Sequence, residues 1–137
     1  MRKLLLSLCA LSAFSTAFAN SLDNGNYTGY LQSTGYPQDS ASGTILNDGA
    51  DIKIPTLTSL GATNGHLTGT INGNVNTNPS ANCIDNAVFT ATKVITIKAS
   101  SVVLTNCVYQ NHTFTGSFDA VVFGMLHNTG TFSFTLQ

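Results

Sequence analysis

The last seven residues, Thr131-Phe132-Ser133-Phe134-Thr135-Leu136-Gln137, alternate polar and apolar without a fault. In an extended chain, a period of two puts successive side chains on opposite faces. One face is therefore Phe-Phe-Leu and the other carries hydroxyls and an amide. His112 to Asp119 repeats the pattern, with Phe114 and Phe118 set against Thr113, Thr115, Ser117 and Asp119. Asp51 to Ile54 and Leu67 to Ile71 do so over shorter runs. No window shows the i, i+3, i+4, i+7 stripe of an amphipathic helix. Composition agrees: all six acidic residues are Asp, so Glu, a good helix former, is absent. The chain reads as all-β.

Between the alternating runs stand residues that tolerate positive φ: Asn47-Asp48-Gly49, Asn64-Gly65, Asn72-Gly73 and Asn128-Thr129-Gly130, with Ser100-Ser101 and Gln110-Asn111 as weaker candidates. These punctuation marks predict strands near 26–32, 43–46, 50–55, 66–72, 87–99, 102–109, 112–118, 120–126 and 130–136. In the long run Ala87–Ala99, Phe89, Ala91, Ile95 and Ile97 share one face, but Lys93 interrupts it, so a bulge or break is expected there. The apparent inner faces carry Phe89, Phe114, Phe118, Phe123, Phe132 and Phe134. Short strands at this spacing predict a small antiparallel β-sandwich or meander β-barrel of about eight to nine strands.

The N-terminus reads as an address. Arg2-Lys3, an apolar run from Leu4 to Phe14 and the small residues of Ala17-Phe18-Ala19 match a secretory signal peptide over residues 1–19. Residues 20–137 then form a single all-β domain, exported to a periplasm or to the cell exterior. No later segment has the roughly 18 consecutive apolar residues of a transmembrane helix. Cleavage removes Cys9 and leaves Cys83 and Cys107, which in an oxidising compartment are expected to pair. That disulfide would close a loop of about 25 residues and contribute on the order of 3 kcal/mol, mainly through the unfolded chain. Three lysines against six aspartates give the mature chain a formal charge of −3, which does not suit a nucleic-acid partner.

Motifs for chemistry are sparse. His66, His112 and His127 fall near strand ends, without the spacing of a metal site. Asp48 and Asp51 flank a turn and read as its polar edge rather than as a calcium ladder. No nucleophile elbow and no phosphate-cradling glycine loop occur. No catalytic residue, metal or cofactor is assigned. No motif reaches a known family: the Gly-x-Trp signature of lipocalin-like barrels is missing from a chain with no tryptophan. Repeated Thr-x-Thr pairs come at unequal intervals and mark outward strand faces, not a solenoid.

The candidate ligand surface is the Tyr30–Tyr36 region. Tyr36-Pro37 lies in the first long connection, among Gln, Ser, Thr and Gly that can hydrogen-bond beside a flat ring. An uncharged glycan or a protein face would suit it. The Asn-rich loop 73–86 is the rival region. The functional expectation is a non-catalytic binding or surface (adhesion-type) module. A small outer-membrane β-barrel and a hydrolase stand as alternatives, and the oligomeric state is open.

Overall fold

The computed structural model describes residues 21–137; the expected signal peptide and its cleavage site lie outside the described residues. Eight strands follow one another: β1 (Gly25–Ser33), β2 (Asp39–Leu46), β3 (Gly49–Leu57), β4 (Ala62–Ile71), β5 (Ile84–Thr92), β6 (Thr96–Gln110), β7 (Thr113–Val122) and β8 (Leu126–Leu136). A single turn of 3-10 helix, Thr58–Leu60, joins β3 to β4. Each strand pairs antiparallel with the next, and β8 returns to pair with β1 from Tyr27↔Leu136 to Ser33↔Gly130. Of the two architectures the sequence allowed, the chain adopts the closed meander barrel, which leaves no free sheet edge.

Alternation sorts the side chains into an apolar inside and a polar outside. Tyr27, Ile52, Ile54, Phe89, Leu104, Phe114, Phe118, Phe132 and Phe134 are buried. The Phe132 ring lies 5.0 Å from that of Phe114 and stacks 5.6 Å from that of Phe134. Glycine makes room for these rings. A Cβ at Gly116 would stand 2.6 Å from the Phe132 ring, and one at Gly130 would stand 1.9 Å from the carbonyl of Gln32. Eight strands give an interior that side chains just fill. Of two apolar cavities that remain inside, of about 20 and about 50 Å³, the larger lies among Leu31, Ile54, Leu67, Phe89, Phe118 and Phe132. Both are far below the several hundred cubic ångströms of a small-molecule site.

Several strand boundaries differ from those predicted. The chain turns at Lys93–Ile95, where the expected break falls, and Ile95 is exposed rather than inward. Ser100-Ser101 does not turn: β6 runs through it to Gln110. The segment Asn128-Thr129-Gly130 lies inside β8, and the turn comes earlier, at Phe123-Gly124, so Phe123 is exposed rather than in the core. Asn64-Gly65 is not a hairpin turn but part of a register shift in β4, with Asn64 at φ 54°. Asn47-Asp48 and Asn111-His112 do turn, all four residues at positive φ.

Because neighbours are sequential and antiparallel, the four connections β1–β2, β3–β4, β5–β6 and β7–β8 gather at one end, here the upper rim. The connections β2–β3, β4–β5 and β6–β7 share the lower rim with the start of β1 and the end of β8.

Candidate functional site

The lower rim is held shut by its own polar groups. Cys83 and Cys107 are bonded, with Cα atoms 6.4 Å apart. Asn106 takes φ 55° where the β6–β7 register shifts, and this bulge brings Cys107 round to the buried side. β5 and β6 pair over only three positions, Thr90↔Lys98 to Thr92↔Thr96. Below them the β4–β5 loop lies along β6: Cys83 N–H donates to the Leu104 carbonyl and Asn76 N–H to that of Cys107. Val75, fully buried, closes the barrel beneath. The asparagines of this loop bond backbone. Asn82 Oδ1 accepts from Leu104 N–H at 3.0 Å, and its Nδ2 donates to the Ile84 carbonyl at 2.6 Å. Asn72 and Asn74 both donate to the Asn82 carbonyl. Asn76 is bonded in both directions to the backbone of Tyr109. The Asn-rich loop is thus built as a plug.

Next to the plug, Tyr109 Oη donates to Asp23 Oδ2 at 2.7 Å, and Tyr27 Oη donates to the Asp23 carbonyl at 2.7 Å. Burial pushes both phenols above the ordinary 10.0. For Tyr109, the hydrogen bonds with Tyr27 and Asp23 raise it further.

Each histidine has its own carboxylate: His66 lies on the wall in β4, His112 in the β6–β7 turn of the lower rim, and His127 at the upper end of β8. His66 Nε2 stands 2.7 Å from Asp51, His127 Nδ1 2.9 Å from Asp119, and His112 Nε2 3.8 Å from Asp23. Among the described residues, no three His, Cys, Asp or Glu side chains converge. Asp48 turns toward Leu22 N–H while Asp51 faces His66, so the two aspartates of the β2–β3 hairpin point to different partners.

The two tyrosines of the candidate surface separate. Tyr30 sits on the outer wall in the middle of β1, between Ser40 of β2 and Ser133 of β8. Tyr36 is at the upper rim in the β1–β2 turn, at least about 10 Å further along the barrel at the rise of a strand. It borders a cleft with Thr34, Ser59, Leu60, Leu126 and His127, drawn from the β1–β2 and β3–β4 connections and the start of β8. The cleft floor is fixed from below: buried Asp39 accepts from Thr58 N–H at 2.9 Å and from its hydroxyl, and the Ser33 hydroxyl bonds that of Ser59.

The upper rim also gathers most of the exposed apolar surface. Val94 is 99% exposed, Met125 82%, Ile95 66%, Phe123 65%, Leu126 51% and Tyr36 45%. Val88, Val103 and Val108 lie singly on the wall, and Leu46 alone projects near the lower rim. Sequence reading missed these tips because it placed Phe123 and Ile95 inside. The available signal was Gly124 directly after Phe123, and Val94-Ile95 directly after the charged Lys93. No family model, curated protein or solved structure matches this chain.

Proposed function

We propose that this chain is an exported, non-catalytic binding barrel that takes an uncharged glycan at the Tyr36 cleft of its upper rim. The observation that carries the reading is the asymmetry of the two rims. One is plugged, with its amides bonded to backbone. The other presents an aromatic ring beside the hydroxyls of Thr34 and Ser59 and the imidazole of His127. A flat ring flanked by hydrogen-bonding groups suits a sugar face, and a weakly charged protein suits a neutral ligand. The larger interior cavity, of about 50 Å³, is too small for the ligand, which favours the rim.

The outer wall bears on the alternatives. Thr113, Thr115 and Ser117 of β7 lie in register with Thr135, Ser133 and Thr131 of β8, and beyond them with Thr28, Tyr30 and Gln32 of β1. A polar outside around an apolar inside is the reverse of a lipid-embedded barrel. The three His–Asp pairs stand apart from one another, and that of His127 borders the Tyr36 cleft. The disulfide accords with an oxidising compartment and hence with export.

Glycan-array binding by wild type and the single variants tests the reading. Tyr36→Ala should abolish binding and Tyr30→Ala should leave it intact. Equal loss in both, or binding only to protein ligands, would reject it.

A further inference from the structure

Nine described non-glycine residues take positive φ, and eight of them are Asn, Asp or His. Those are the side chains that tolerate the left-handed region. The ninth is Phe123, at φ 56°, followed by Gly124 at 73°. A bulky residue there is a genuine outlier, and such strain persists where function requires the side chain. Core packing does not explain it, since Phe123 is mostly solvent-exposed. In every other case the sequence supplies a residue suited to the geometry; at this tip it supplies an aromatic facing water.

Phe123 does not stand alone. Met125 and Leu126 follow it, and Val94 and Ile95 crown the neighbouring β5–β6 connection. These side chains are the most protruding parts of a ring of hairpin tips, not the walls of a groove. A protein partner would need a matching hollow for each, whereas a bilayer interface accepts protrusions without shape matching. Charge points the same way. Of the three lysines beyond the expected signal peptide, Lys93 sits in the β5–β6 turn and Lys98 two residues into β6. A Cβ at Gly61 would stand 3.8 Å from the Lys93 ammonium, so that cation lies over the adjoining β3–β4 connection. Two aspartates share this half, Asp39 buried against Thr58 and Asp119 on the wall beside His127, while the four upper connections themselves carry no carboxylate. Asp23, Asp48 and Asp85 belong to the lower rim.

We infer that the upper rim docks on an anionic lipid surface, with Phe123, Met125, Leu126, Val94 and Ile95 entering the interface and Lys93 and Lys98 meeting the headgroups. Apolar tips flanked by lysines combine the two terms that give stable interfacial binding, buried apolar area and attraction to anionic lipid. This goes beyond the glycan reading; the two share the upper rim and Leu126 but fail separately, since Tyr36→Ala is read on glycans and the variants below on vesicles.

The test is co-sedimentation of the exported, disulfide-bonded protein, its N-terminus checked by mass, with two kinds of vesicle: phosphatidylcholine alone and phosphatidylcholine mixed with phosphatidylglycerol. Wild type should sediment with the mixed vesicles. Phe123→Asn/Met125→Gln should bind at least about tenfold more weakly, from the apolar area withdrawn, without a lower Tm, because asparagine fits the turn. Lys93→Gln/Lys98→Gln should weaken binding to mixed vesicles about tenfold and leave the neutral vesicles unchanged. Wild type that stays in the supernatant with both vesicles overturns the inference. So does undiminished binding by the folded Phe123→Asn/Met125→Gln variant. A dimer in sedimentation velocity that this variant dissolves would assign the rim to a second copy of the chain instead.

Discussion

The two ends of this barrel are made from the same kinds of connection and serve opposite ends. At the lower rim, strained positions are filled by residues that suit them: Asn47, Asp48, Asn111 and His112 turn, and Asn76 and Asn106 shape the plug. The plug's Asn72, Asn74, Asn76 and Asn82 amides bond backbone, and Val75 is covered. At the upper rim the local rule is broken at Phe123, and the apolar side chains face out. Where every level of choice agrees, the residues serve the fold; where one level is violated without gain to the fold, they serve something else. Stability should therefore follow the core and lower rim, and binding the upper rim.

The largest expected effect is in the core that both rims share. Phe134→Ala should lower unfolding free energy by about 3–5 kcal/mol in denaturant titration, since the ring is buried and stacked on Phe132. A loss no greater than that of Thr135→Ala, an outward neighbour, would break the inside–outside assignment. Replacing both Cys83 and Cys107 with serine should cost about 3 kcal/mol, because the loop they close is freed in the unfolded chain. Asn82→Ala leaves the buried Leu104 N–H without its partner and should cost about 1–3 kcal/mol, against nearly nothing for a polar substitution at Met125 on the opposite rim.

A graded effect follows from the raised phenols of Tyr27 and Tyr109. Above the ordinary 10.0 the unfolded chain releases protons that the folded chain keeps, so the folded state binds more protons and stability falls as pH rises. Their contribution is complete below that pH and is lost above it. Alkaline melts should show the decline, and Tyr109→Phe should flatten it. The smallest effect has the opposite sign: Phe123→Asn should hold or slightly raise Tm, by relieving a bulky side chain at φ 56°. A clear loss of Tm would mean that Phe123 supports the fold, and the contrast between the rims would go with it.

Most of the wall was legible from the chain, because alternation is a local signal: Phe114, Phe118, Phe132 and Phe134 go in, and their Thr and Ser neighbours go out. Turns were less legible, for a physical reason. Asn reports a positive φ, but hairpin turns and strand irregularities both need one. Asn47 marks a turn, whereas Asn64, Asn86 and Asn106 lie within strands. Conversely, Phe123 looks like strand and stands in a turn. Of the candidate site, Tyr36 was readable as a loop aromatic. That Tyr30 lies on a different surface follows only from register, since β1 carries it between β2 and β8.

The sequence by itself determined the all-β class, the two faces of its strands and the pairing of Cys83 with Cys107, each set by side-chain period or by the residues available to bond. Only the tertiary structure decided that the meander closes, that the Asn-rich loop becomes a plug and that the apolar tips share one rim. Closure joins β1 to β8 by hydrogen bonds between residues about a hundred positions apart. No local preference encodes such a bond, because backbone N–H and C=O groups are alike at every position, and what selects the partner is the twist and length of all eight strands together.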